Sequence, residues 1–343
     1  MHVLVVDDSA VMREVMTGLL SSEEGLDVAT AGDPIIAMEK MRRKRPDVIV
    51  LDLEMPRMDG LTFLRKIMRE DPIPVVVCSG VAAKGTEAAF RAMAEGAIDI
   101  VHKPKVGLRD FLYESAVTMV DVIRAASLAR VRGALPVVHR SVPPPAVPGS
   151  LLRGSIVAIG ASTGGPEAIR TVLDALPVDS PGVLIVQHMP PTFTRAFAER
   201  LDATSALEVR EAKNGDEVLP GLALVAPGAM HMRLVRRGAR PVVEVFDGPL
   251  VSRHRPSVDV LFRSVAEVAG ASALGVLLTG MGEDGADGLM TLKRAGAPTI
   301  AQDERTSVVF GMPAKAIARG AADEIVPLEE VASAILRMCP RRS

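Results

Sequence analysis

Cysteine is scarce in this sequence. Two residues, Cys78 and Cys339, among 343 are too few for a disulfide framework or a multi-cysteine metal site. Long apolar runs are missing as well. Charges, proline or glycine interrupt each one well short of the ~18 residues that a membrane span needs, so no membrane insertion is expected. Neither sign of charge is in excess. The 40 basic and 42 acidic side chains leave a formal net charge of −2, which gives no electrostatic reason to expect nucleic acid as a partner. The first residues, MHVLVVDDSA, reach acidic side chains too soon for a signal peptide. Hydrophobic residues make up 48 % and charged residues 24 %, a globular composition that excludes a wholly disordered chain. Together these features predict a soluble protein of a reducing, cytoplasmic compartment. At ~100–200 residues per domain, the length predicts two domains.

Proline marks the boundary. Between Gly133 and Gly154 the sequence reads GALPVVHRSVPPPAVPGSLLRG, and clustered prolines predict a stiff, extended linker. No acidic residue lies between Asp121 and Glu167, whereas Arg124, Arg130, Arg132, Arg140 and Arg153 do. The stretch reads either as a solvated spacer or as a basic strap for an acidic surface, such as that of the first domain. The expected division is 1–125, a linker over 126–152, and 153–343. Before the linker, HVLVV, DVIVL, PVVVCS and IDIVH are strand-like. They alternate with the helix-period segments SAVMREVMTGLL, PIIAMEKMRRK and GLTFLRKIMRE, which predicts a parallel sheet covered on both faces. After the linker SIVAIG, GVLIVQH, LALVAP, VVEVF, LGVLLTG and PTIAQ continue the pattern. GARPVVEVFDGP reads as a hairpin arm, so the second domain is expected to be open α/β with a mainly parallel sheet.

Three carboxylates, Asp7, Asp8 and Asp52, follow predicted strands of the first domain, at the end where open parallel sheets bind ligands. Clustered carboxylates repel and call for a hard divalent cation such as Mg²⁺. Ser79 and Lys103 follow the next two strands. The set forms a phosphoryl site in which Asp52 attacks and the cation and Lys103 neutralise the developing charge. A single aspartate at a strand end is more often a helix cap, and Asp33, before Pro34, is expected to be one. VVDDSAVMR, LDLEMPRMDG and HKP resemble the signature segments of response-regulator receiver domains, over about residues 1–125. The resemblance implies a flavodoxin-like, doubly wound fold. It also implies phosphorylation of Asp52 by a histidine kinase, Mg²⁺ held by Asp7, Asp8 and the Glu54 backbone carbonyl, and phosphoryl sensing by Ser79 and Lys103. Many receivers carry an aromatic switch residue three positions before the lysine; here that position is Ile100.

In the second domain SIVAIGASTGGPEAIRTVL reads as strand, tight turn and helix. Its G-x-S-x-G turn, Gly160 to Gly164, would lift Ser162 to a helix N-terminus, with Pro166 in the first helical turn. A phosphate-binding turn is the competing reading, although the G-x-G-x-x-G spacing and a P-loop lysine are both missing. A serine needs a base, and the base needs an orienting carboxylate. His188 follows one predicted strand and Asp284 lies in a glycine-rich turn after another. His231 and His254 are rival bases. The order Ser–His–Asp differs from that of α/β-hydrolases. No basic recognition helix follows the linker, which argues against a DNA-binding output domain.

IGASTGGP, QHM, PGAMHM, RHRPSVDVLF, LLTGMGEDGADG and AQDERTSVVFGMP together resemble the catalytic domain of chemotaxis protein-glutamate methylesterases, over about 153–338. The resemblance implies a Ser162–His188–Asp284 triad and an oxyanion hole at the backbone amides of Thr163 and Met281, with no metal at this site. The implied reaction is hydrolysis of glutamate methyl esters on methylated chemoreceptors, with deamidation of glutamines in many members. Asp287 and Asp303 read as structural or rim residues, and Glu283 is assigned no role. It also implies that the unphosphorylated receiver covers the catalytic cleft. The same chemistry on receptors controlling an output other than motility is the alternative.

Overall fold

The computed structural model describes residues 1–55, 58–80, 83–104, 119–129 and 154–339. The chain forms two compact units, Met1–Val138 and His139–Ser343. Residues 126–127 still belong to a helix, and the Pro-rich part of the linker, with Arg130, Arg132, Arg140 and Arg153, lies outside the described residues. Arg124, the described member of the basic series, pairs at 3.3 Å with Glu23 of its own unit.

The first unit holds β1 (His2–Val6), α1 (Ala10–Ser21), β2 (Asp27–Ala31), α2 (Pro34–Arg43), β3 (Val48–Leu51), α3 (Gly60–Glu70), β4 (Val75–Ser79), α4 (Ala83–Ala94) and β5 (Asp99–His102). A further helix, α5, is described over 119–127. All strands run parallel, in the order β2-β1-β3-β4-β5. Continuous apolar runs such as Val48–Leu51 are buried on both faces, as a covered parallel sheet requires. Caps set the helix starts: the Ser9, Asp33 and Asp59 side chains accept from the Met12, Ile36 and Thr62 N–H groups, so Asp33 is the cap that its sequence context indicated. The chain winds from β1 to β2 on one side and to β3 on the other, and the crevice at that reversal is where such sheets bind ligands.

The second unit holds β6 (Ile156–Ala161), α6 (Gly165–Asp174), β7 (Gly182–Gln187), α7 (Pro191–Asp202), β8 (Glu208–Glu211), β9 (Leu222–Val225), β10 (His231–Arg237) and β11 (Arg240–Phe246). It continues with α8 (Val258–Ala269), β12 (Ala273–Leu277), α9 (Ala286–Arg294), β13 (Thr299–Gln302), α10 (Met312–Ala318), β14 (Glu324–Val326) and α11 (Val331–Met338). The seven-stranded sheet, β14-β13-β12-β6-β7-β9-β8, is wholly parallel. The expected hairpin arm is β11, and with β10 it forms a separate antiparallel ribbon instead of mixing the main sheet. Helix α8 lies over β6 and β10 and buries Val258, Leu261, Phe262 and Val265 in the core. Winding reverses between β12 and β6, so the central strands β12, β6 and β7 open onto one crevice.

Candidate active site

Ser162 follows β6, His188 follows β7, and Asp284 lies in the loop after β12. Ala161 and Gln187 are register partners, and the His188 N–H donates to the Ala161 carbonyl at 3.1 Å. Ser162 and His188 therefore stand side by side on adjacent strand ends. Gly164 makes the turn after Ser162 possible. Its φ of 77° lies in the left-handed region, and a Cβ there would come within 2.6 Å of Val308, so only glycine fits.

Asp284 is 1 % exposed and accepts four hydrogen bonds. Oδ1 takes the Ser257 hydroxyl at 2.8 Å and the Asp259 N–H at 3.1 Å; Oδ2 takes the Val258 N–H at 2.7 Å and His188 Nε2 at 2.8 Å. The carboxylate sits at the N-terminus of α8, where exposed N–H groups and the helix dipole favour negative charge. Burial alone would raise its pKa. The bond to His188 and that ring's charge, with the Val258 and Ser257 donors, outweigh burial and hold the carboxyl below its ordinary value. An ionised Asp284 fixes the proton on His188 Nε2 and leaves Nδ1 as the basic nitrogen. Nδ1 is buried and makes no hydrogen bond. The Asp284–His188 link is thus formed in this structure and the His188–Ser162 link is not, a spacing common at sites without substrate.

The rival histidines have other tasks. His231 is 1 % exposed; its Nδ1 accepts the Ser257 N–H at 3.3 Å and its Nε2 meets the Pro249 carbonyl at 2.9 Å, so it props the segment that feeds Asp284. The His254 ring stacks on His188, centroids 3.7 Å apart and planes 12° apart. Burial, followed by the His188 charge, pushes its pKa down to about 3, leaving a neutral ring that is a poor base. Asp259 accepts the Gly285 and Gly288 N–H groups at 3.0 and 2.7 Å, which pins the turn after Asp284. Glu283 and Asp287 both pair with Arg319, and Asp303 caps Thr306. Asp287 and Asp303 thus make structural contacts.

Among the described residues the N–H groups of Thr163 and Met281 have no acceptor in the protein, whereas the Ser162 N–H donates to the Thr279 carbonyl at 3.0 Å. Unpaired N–H groups beside a serine can receive an oxyanion. Residues 157–335 match the CheB methylesterase family and residues 3–110 match the response regulator receiver domain. The chain is 56 % identical over 344 residues to a protein-glutamate methylesterase/protein-glutamine glutaminase of Anaeromyxobacter dehalogenans, covering 98 % of each chain. The chain belongs to the CheB methylesterase family. A relative named in the same way from Geobacter metallireducens is 53 % identical over 349 residues, again covering 98 % of each chain. Among solved structures, the CheB methylesterase catalytic domain of Thermotoga maritima matches with 39 % identity and a TM-score of 0.53. That match covers 54 % of this chain and 98 % of that one.

The receiver crevice gathers the other expected set. Oxygens of Asp7, Asp8 and Asp52 lie within 4.8 Å of one another; Asp7 and Asp52 are buried. Lys103 Nζ lies 2.6 Å from Asp52 and 3.0 Å from Asp7. Burial raises the Asp52 carboxyl above its ordinary value against the pull of Lys103. For Lys103, burial is outweighed by the Asp52 bond and charge, and its pKa rises. The cluster holds more negative charge than one lysine balances, and its hard oxygen donors fit a divalent cation. Glu54 is exposed and donates its N–H to Asp52 at 3.2 Å; Ser79 is buried at the end of β4. Ile100 is buried in β5.

The unaided sequence pattern missed the residues around the triad: Ser257, Val258, Asp259 and Gln187. Three of them lie in RHRPSVDVLF and Gln187 in QHM, two segments that the resemblance had picked out without roles for these residues. Among the described residues no helix is long and apolar enough to cross a membrane.

Proposed function

We propose that this methylesterase hydrolyses glutamate methyl esters on chemoreceptors through Ser162. His188 Nδ1 takes the hydroxyl proton as Oγ attacks the ester carbonyl, and the Thr163 and Met281 N–H groups receive the oxyanion. The imidazolium returns its proton to the departing methoxide, methanol leaves, and water activated by the same ring hydrolyses the acyl-enzyme to free glutamate and Ser162. Asp284 stays ionised, orients His188 and stabilises the imidazolium. The same sequence on a glutamine amide releases ammonia, in keeping with the two activities named for the relatives. The observation that carries the reading is the buried Asp284 carboxylate, held by three donors from 257–259 and bonded to the histidine beside Ser162.

In the receiver, Asp52 accepts the phosphoryl group from a histidine kinase, with Lys103 and Ser79 contacting it. Asp7, Asp8, Asp52 and the Glu54 carbonyl hold Mg²⁺, which when bound neutralises phosphoryl charge. The esterase site has no metal-ligating role in this reading. Two free, buried thiols and a phosphorylated aspartate suit the cytoplasm. The test is methanol release from a glutamate-methylated chemoreceptor, with and without a small phosphodonor. Wild type releases methanol faster with the phosphodonor, and Ser162→Ala releases none. Turnover by Ser162→Ala would overturn the assignment of the nucleophile.

A further inference from the structure

The two N–H groups assigned to the oxyanion belong to the Ser162–Thr163 and Gly280–Met281 peptides. The carbonyl of each peptide accepts two hydrogen bonds. Gly280 O receives the Gly311 and Met312 N–H groups at 3.0 and 2.8 Å. Ser162 O receives the Gly165 N–H at 2.7 Å and Gln187 Nε2 at 2.9 Å. A peptide group is planar, so fixing the carbonyl fixes the N–H on its opposite side. Donors at the carbonyl also polarise the amide and strengthen its N–H.

Three of these four donors are main chain; the fourth is the Gln187 side chain. Gln187 ends β7, is wholly buried, and its Nε2 also donates to the His188 carbonyl at 3.0 Å. Turned the other way, the amide would press its oxygen against two carbonyl oxygens, so the network fixes its orientation. Its Oε1 is buried without a hydrogen bond, a cost that an apolar side chain of similar length would avoid. Gly165 makes the room: a Cβ there would lie 2.0 Å from Oε1.

We propose that Gln187 is a positioning residue for acyl transfer, whose amide clamps the Ser162–Thr163 peptide so that the Thr163 N–H faces the oxyanion. The same nitrogen ties the carbonyl of His188 to the nucleophile's turn, fixing the base relative to Ser162. The inference rests on the serine reading above. It is tested on the full chain with Gln187→Met and Gln187→Glu, against Ser162→Ala, by methanol release from a methylated chemoreceptor and by thermal unfolding. Gln187→Met removes the donor at similar volume. Its kcat should fall about 10–100-fold with KM within about twofold, because the lost interaction acts in the transition state.

Gln187→Glu donates only when its buried carboxyl is protonated, so its rate relative to wild type should rise as pH falls. A space-filling role gives a constant ratio. Wild-type kcat in Gln187→Met, or a pH-independent ratio in Gln187→Glu, overturns the inference. If Gln187→Met does not fold, the Gln187→Glu ratio decides. Turnover by Ser162→Ala would instead sink the serine reading. A dead Ser162→Ala beside a fully active Gln187→Met would sink this inference alone.

Discussion

Asp284 shows how one buried side chain can carry both stability and chemistry. It accepts the Ser257 hydroxyl, two α8 N–H groups and His188 Nε2. Asp284→Asn sets an NH₂ group against donors that need an acceptor. It should lower stability by about 1–3 kcal/mol near neutral pH and the rate by roughly 10⁴. The carboxyl lies below its ordinary 3.8 in the folded state, so the unfolded chain takes up the proton first as acid is added. The stability advantage of wild type over Asp284→Asn is therefore complete above that value and is lost as pH falls through the lowered one. Thermal unfolding of the methylesterase domain across acid pH measures it; an advantage that grows with acid would contradict the assignment. The places of Ser162, His188 and Asp284 at one sheet edge were legible in the sequence because each ends an apolar strand or sits in a glycine-rich turn. Ser257, Asp259 and Gln187 were not, since a serine, an aspartate and a glutamine near apolar residues look like ordinary caps and surface groups. Their function comes from partners distant in sequence, such as Asp284, 27 residues after Ser257.

At the scale of elements, the strands that escaped the sequence reading are telling. The central strands were found almost to the residue because burial on both faces leaves an uninterrupted apolar run. The missed β2 (DVATA), β8 (EVRE) and β14 (EIV) are all edge strands of the two main sheets, and β10 (HMRLVRR), also missed, lies in the two-stranded ribbon. An edge is partly solvated and tolerates charge and polarity, so the apolar signal fades there. The turn between β6 and α6 was readable because its glycines are demanded by the backbone. Gly164→Ala would force φ of 77° on a residue with a Cβ and press it against Val308. That costs about 1–2 kcal/mol from the backbone alone, and the displaced Thr163 N–H should depress methanol release as well. An alanine variant with unchanged unfolding midpoint and rate would contradict this account of the turn.

Across the whole molecule, two parallel sheets each gather their reactive side chains at the crevice where winding reverses: Asp7 and Asp52 after β1 and β3, Ser162 and Asp284 after β6 and β12. In the proposed function the receiver's acidic cluster is what makes the esterase rate respond to phosphorylation. Asp52→Asn should bring the ratio of phosphodonor-stimulated to unstimulated methanol release down to one. A chelator should do the same to wild type while leaving the unstimulated rate, because the esterase site has no metal in this account. Equal stimulation of wild type and Asp52→Asn would contradict the phosphoacceptor assignment. The central claim is that the His188–Asp284 pair activates the Ser162 hydroxyl. Peptide mapping after reaction with a serine-directed fluorophosphonate tests it most directly. The account predicts a single adduct on Ser162, formed far more slowly in His188→Ala; an adduct on another residue, or one whose rate ignores His188, would contradict it.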